Sequence, residues 1–164
     1  MLDIVKLKSV LNYNPDTGIF TYLVKRGPMM PGQQAGRVTK DGYRVIQFDG
    51  REWMEHILAW AYVHGELPPP PFEIDHRDLV KSNNRISNLR LATAAQQQAN
   101  TRARSHSKSG LKGVWWSKSR KKWISNIRLN GKSIYLGQYN TAEEASLAYS
   151  NASKSLYGEF ARDR

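Results

Sequence analysis

A polar, basic run interrupts this chain and divides what it can fold into. Residues 102–109 read RARSHSKS, and a stretch so charged and so poor in apolar side chains belongs outside any core. The charge balance changes at the same place. Residues 1–100 hold 12 basic and 10 acidic side chains, net +2; residues 101–164 hold 13 and 4, net +9, out of +11 for all 164 residues. Eight of the basic residues lie between Arg102 and Lys122. Two small modules are expected, a near-neutral one and a basic one that meets phosphate. Aromatic residues set among the C-terminal charges argue against a merely solubilising tail.

Composition removes several classes. There is no cysteine, so no disulfide framework, thiolate zinc site or thiol nucleophile is available. No apolar run approaches the length of a membrane span, and no signal-peptide pattern precedes the first element. The expectation is a soluble, cytoplasmic protein with a polyanionic partner, no membrane association and no evident protein partner.

Periodicity gives the elements. Ile4, Val5, Leu7, Val10 and Leu11 have helical spacing over 3–12. Asn14-Pro-Asp-Thr-Gly18 is a turn cluster, followed by a strand over 19–24. Residues 43–48 and 51–54 flank Asp49-Gly50, a hairpin signal. Residues 55–64 read as a buried helix stopped by Gly65 and Pro68–Pro71. Then come a short strand over 73–76, a polar loop, a strand (LRLA) and a helix from about 94 to 102, with Thr93 and Gln96 as a capping box. Beyond the basic run, three strands (113–117, 122–129, 133–138) precede a helix. Asn130-Gly131 turns the last two strands, and Thr141 and Glu144 cap the helix. The helix's apolar stripe is Ala145, Ala148, Ala152 and Leu156. One of Trp115 and Trp116 is expected in the core, since strand neighbours point oppositely.

One constellation has the chemistry for phosphodiester hydrolysis. Asp75 and His76 are adjacent, Asn88 lies twelve residues after His76, and Gln97 and Asn100 follow on the helix. Asp75 offers a hard oxygen to Mg2+ or a similar ion, and His76 can accept a proton near neutral pH. Asn88 can hydrogen-bond the imidazole or brace the loop, and the amide of Gln97 or Asn100 can add a second metal ligand. The strand must end or bend at Asp75-His76 for both to serve one site. His56 reads as a core histidine, His64 as a helix-end residue and His106 as a solvated linker residue.

Residues 55–93, EHILAWAYVHGELPPPPFEIDHRDLVKSNNRISNLRLAT, resemble phage-type HNH homing endonucleases. The shared features are the His-x-x-Ala-Trp helix, the Ile-Asp-His strand, the Asn-Asn-Arg loop and the Asn-Leu-Arg strand. Residues 11–18 and 42–46 also look like the leader of these enzymes. The resemblance implies a ββα-metal nuclease with Asp75 as metal ligand, His76 as general base and Asn88 supporting base and loop. It also implies a divalent cation, Mg2+ or Mn2+, and 3′-hydroxyl and 5′-phosphate product ends. Gln97 departs from the family, in which Asn is common; either Gln97 or Asn100 is then the helix ligand.

Residues 109–161 resemble an AP2 domain through Lys-Gly-Val, Lys-Trp…Ile-Arg, Tyr-Leu-Gly-x-Tyr-x-Thr-Ala-Glu-Glu-Ala and the Ala-Tyr helix. Strand alternation puts Lys122, Ile124, Asn126 and Arg128 on one face and Trp123, Ser125, Ile127 and Leu129 on the helix side. Carried over by position, the DNA contacts are Lys112, Trp115, Ser117, Lys122, Asn126, Arg128, Ser133 and Tyr135, with Arg102 and Arg104 added from the linker charge. Trp115, Ser117 and Ser133 stand where the family commonly has arginine, so base preference does not transfer.

The expected fold is α+β: an HNH nuclease domain over 1–101 with its ββα-metal motif at about 73–102, a basic linker over 102–110, and over 111–164 an AP2-like domain of three antiparallel strands packed on one helix. The expected function is metal-dependent cleavage of double-stranded DNA in a phage host or bacterial cell. The alternatives are a DNA-binding protein or repressor with a decayed nuclease site, motivated by Gln97, and RNA binding through the basic sheet.

Overall fold

A computed structural model describes residues 2–101, 109–129 and 131–162. The expected linker contacts Arg102 and Arg104, the linker His106, and Asn130 of the last hairpin lie outside the described residues. The chain divides into two compact units, Met1–Thr93 and Ala94–Arg164. Both mix helices and antiparallel strands, as an α+β fold requires. No helix among the described residues is long and apolar enough to cross a membrane.

The first unit begins with helix α1 (Ile4–Val10), capped by the Asp3 side chain accepting from the Lys6 amide. Strand β1 (Leu11–Asn14) follows at once, where the sequence reading extends the helix to 12. The reason is a switch of period: Leu11 and Tyr13 are buried while Asn12 and Asn14 are exposed. The Asn14–Gly18 turn then returns the chain as β2 (Ile19–Tyr22), antiparallel to β1. A three-stranded sheet in the order β3-β4-β5 comprises Arg37–Val38, Arg44–Phe48 and Arg51–Met54. Asp49 and Gly50 join β4 to β5 with φ of 51° and 80°, the doubly positive geometry of a tight primed hairpin turn.

Helix α2 (Glu55–His64) ends at Gly65, which is left-handed and returns its N–H to the Ala61 carbonyl. Its Leu58, Ala59 and Ala61 join Leu7, Leu11, Phe20, Ile46 and Phe48 in one core. Strands β6 (Glu73–His76) and β7 (Leu89–Ala92) pair antiparallel at the edge of this core, to which Ile74 and Leu89 contribute.

The second unit opens with α3 (Ala94–Ala99), shorter than the expected helix to about 102. A sheet in the order β10-β9-β8 follows, comprising Val114–Ser117, Lys122–Leu129 and Lys132–Tyr139. Helix α4 (Ala142–Tyr157) carries the expected capping box in full: Thr141 accepts from the Glu144 amide, and the Glu144 carboxylate returns to the Thr141 N–H.

The packed stripe of α4 differs from the expected one. Ala145, Tyr149, Ser150, Ser153 and Tyr157 are buried, while Leu156 is exposed. Two serines let the helix backbone approach the sheet closely, and two tyrosines, one mid-helix and one at its last residue, fill the remaining space. Gly113 shows how tight the fit is: at φ +65°, an added Cβ would lie 2.3 Å from the Tyr149 ring. The tryptophan expectation is also corrected. Trp115 and Trp116 are both exposed, since one helix covers only part of a three-stranded sheet, and Trp116 packs edge-on against Trp123 instead.

Candidate active site

Strand β6 ends at His76 and the chain turns at Arg77, so the end required at Asp75-His76 is present. Both side chains are buried. His76 Nε2 lies 3.1 Å from Asn84 Oδ1. An imidazole Nε2–H donating to that amide oxygen carries its lone pair on Nδ1. Around the ring stand His56, edge-on with centroids 5.0 Å apart, and Tyr43 at 6.3 Å.

Asn84 is a residue the sequence reading missed as a site residue, although it belongs to the Asn-Asn-Arg loop. Of the two roles open to Asn88, the structure gives the loop. The Asn88 amide donates to Asp78 Oδ1 at 2.9 Å and to the Asn83 carbonyl at 2.8 Å, and its Oδ1 accepts from the Asp78 N–H at 3.1 Å. Burial pushes the Asp78 carboxyl up, but hydrogen bonds from Asn83, the Val80 N–H and Asn88 together hold it below the ordinary value. The polar loop between β6 and β7 is thus closed on itself.

The β1–β2 turn braces this loop from outside. Tyr13 donates its hydroxyl to the Asn84 carbonyl at 2.6 Å, Arg85 Nε donates to the Asp16 carbonyl at 2.7 Å, and the Ile86 N–H reaches the Pro15 carbonyl at 3.1 Å. Burial pushes the Tyr13 phenol well up, so it stays protonated and donates. Gly18 closes the contact: an added Cβ would lie 2.4 Å from the Arg85 nitrogen.

Asp75 faces its cross-strand neighbour. Arg90 Nε donates to Asp75 Oδ2 at 2.9 Å, and both side chains are nearly inaccessible. His56 is half-buried, with Nδ1 shut off from solvent and unpartnered among the described residues. Burial, helped by the nearby His76, pushes its pKa down to about 4, so it is neutral at physiological pH.

Among the described residues, no three His, Cys, Asp or Glu side chains gather as a metal site would require if built from those types alone. Of the expected metal ligands, Asp75 supplies a carboxylate, and Gln97 and Asn100 would supply neutral amide oxygens. Such a set suits a hard divalent cation that keeps several of its waters, so the residues fit an Mg2+-type ion. The candidate helix ligands lie in the second unit, Gln97 on α3 and Asn100 one residue past its end.

In the second unit, cross-strand register aligns Trp115 with Ile124, Ser117 with Lys122, Asn126 with Tyr135 and Arg128 with Ser133. These rows form the face expected to meet DNA. Trp115, Arg128, Ser133 and Tyr135 are exposed there. Asn126 is half-buried: its amide donates to Ser133 Oγ, while its Oδ1 is buried and unpartnered among the described residues. Lys122 pairs with Asn140.

Three residues depart from the expected open face. Ile124 is buried. Ser117 is buried too and accepts from the Arg120 N–H within the β8–β9 turn. Lys112 is buried, and its ammonium donates to the Ala99 carbonyl at 2.5 Å.

An HNH endonuclease family model matches residues 54–99, and an AP2 domain model matches residues 109–159. Protein 3.8 of Escherichia phage T7 is 33% identical over 109 residues, 66% of this chain and 88% of that protein. An uncharacterized HNH endonuclease of Acanthamoeba polyphaga mimivirus is 30% identical over 122 residues, 74% of this chain and 62% of that one. A putative dehydration-responsive element-binding protein of Arabidopsis thaliana is 44% identical over 56 residues, 33% of each chain. A solved structure of DNA binding and cleavage by the HNH homing endonuclease I-HmuI aligns with 96% of this chain and 93% of that one, at 19% identity and a TM-score of 0.46. The chain therefore spans less than two thirds of the mimivirus protein.

The two family models describe an HNH endonuclease domain followed by an AP2 domain. The chain belongs to the HNH endonuclease family and carries an AP2 domain on its C-terminal side.

Proposed function

We propose that this protein is a metal-dependent endonuclease that hydrolyses phosphodiester bonds of double-stranded DNA and is brought to its target by the AP2 domain. The observation that carries the reading is His76, held by Asn84 at the end of β6 beside the buried Asp75. His76 takes a proton from the attacking water at Nδ1. Asn84 holds the ring from Nε2, and Asn88 keeps the loop closed around it.

HNH nucleases generally use a divalent metal ion. Here Asp75, with the amide of Gln97 or Asn100, would hold it, and when bound it offsets charge on the phosphate. The products carry 3′-hydroxyl and 5′-phosphate ends.

Trp115, Lys122, Asn126, Arg128, Ser133 and Tyr135 present the three-stranded face to DNA, where arginine and lysine meet phosphate and asparagine can read a base edge. The domain reading over 1–101, 102–110 and 111–164, and a cytoplasmic place of action, go with this account.

Supercoiled plasmid tests it. Conversion to nicked or linear DNA in Mg2+ or Mn2+, abolished by EDTA, is the expected result. Gln97 favours a second reading, a DNA-binding protein with a decayed site. DNA binding without metal-dependent cleavage, unrestored by Gln97→Asn, would establish that reading and overturn the first.

A further inference from the structure

Helix α3 carries the candidate metal ligand yet has only six residues. So short a helix is not self-supporting and must be held by its surroundings. It packs on α4 and on the short turn Gly158–Phe160, with Ala99 buried. On its sheet side, a cavity of about 570 Å3 is lined by Ala95, Gln98 and Ala99 of α3 together with Trp115, Asn126 and Arg128 of the sheet. What bridges the second unit here is Lys112. Its ammonium lies 2.5 Å from the Ala99 carbonyl at the end of α3, and 5.9 Å from the centre of the Tyr149 ring on α4. A cation at a helix C-terminus meets the negative end of the helix dipole, and a charge-assisted hydrogen bond in a buried setting is strong and directional. Gln97 lies two residues before the bonded carbonyl and Asn100 one after it.

We propose that Lys112 is a positioning residue. By clamping the end of α3 to the AP2 sheet, it fixes the amide ligand of the metal site, rather than contacting DNA. This inference rests on the proposal that α3 supplies a metal ligand.

The test uses the full chain with three measurements: Mn2+ affinity by electron paramagnetic resonance of the free ion, DNA affinity over a range of salt, and plasmid cleavage. Lys112→Met is expected to weaken Mn2+ binding about tenfold and slow cleavage, with DNA affinity and its salt slope unchanged. Lys112→Arg, which keeps a cationic donor, should recover part of the Mn2+ affinity. A reduced salt slope in Lys112→Met, matching that of Arg128→Ala, would make Lys112 a phosphate contact and overturn the proposal. Unchanged Mn2+ affinity, or joint loss of Mn2+ and DNA binding, would overturn it as well. A Gln97→Ala/Asn100→Ala double variant separates the two layers. If its Mn2+ affinity is unchanged, the helix-ligand reading itself fails.

Discussion

His76 Nε2 and Asn84 Oδ1 are 3.1 Å apart, and the main chain of the same asparagine accepts the Tyr13 hydroxyl. One residue therefore ties the proposed base to the N-terminal hairpin. The contact orients the ring, and an Nε2–H donating to the amide oxygen is the tautomer it favours. Asn84→Ala is expected to lower kcat about 10- to 100-fold, part of what a general base contributes, with DNA affinity unchanged. Single-turnover cleavage beside a binding titration checks this; wild-type turnover would remove Asn84 from the site.

The hairpin's brace depends on Gly18. Its φ of +73° disfavours a side chain, and a Cβ would lie 2.4 and 2.5 Å from backbone atoms of Arg85 and Asn84. Backbone cannot give way as a flexible side chain can, so Gly18→Ala should destabilise the first unit by about 1–3 kcal/mol and slow cleavage. Urea unfolding measures the first effect and plasmid conversion the second.

Asp75 and Arg90 form a buried cross-strand ion pair. Removing one member of such a pair is costly, so Arg90→Met should lose about 3 kcal/mol or more of stability. If Asp75 also binds a cation, millimolar Mg2+ should raise the Tm of the variant more than that of the wild type. Equal shifts would argue against Asp75 as a ligand.

The α+β class and most elements were legible in the sequence, and the cross-strand and loop contacts were not. Asp49-Gly50 and the Thr141 capping box were legible because the turn and the cap are fixed by neighbours within a few residues. The Asp75-His76 pair was legible through the longer motif around it, over residues 55–93, since an Asp-His dipeptide alone is a weak signal. Asn84 was not, because in a run such as Asn83-Asn84-Arg85 no period says which amide turns inward; the loop closes only when the β1–β2 turn docks on it. Lys112 is read as a DNA contact from its position in the AP2 resemblance, yet its ammonium turns inward to the carbonyl end of α3. The exposed Leu156 and the paired Trp116 and Trp123 follow from the limited reach of one helix over three strands.

His56 sets a pH dependence. With a folded pKa of about 4 against an ordinary 6.5, the unfolded chain takes up a proton more readily between these values. Stability is therefore full above about pH 6.5 and falls as the pH drops toward 4, by on the order of 3 kcal/mol. His56→Phe keeps the ring and removes the titration, so its unfolding free energy should decline less across that window. Parallel declines would assign the loss to other groups.

The central claim is that His76 activates the water that cuts DNA. The most direct measurement is the single-turnover rate of Mn2+-dependent plasmid cleavage by His76→Ala at saturating protein, with DNA binding confirmed equal to wild type. The account predicts a loss of about 10²–10⁴-fold with binding intact. Cleavage at the wild-type rate would contradict it.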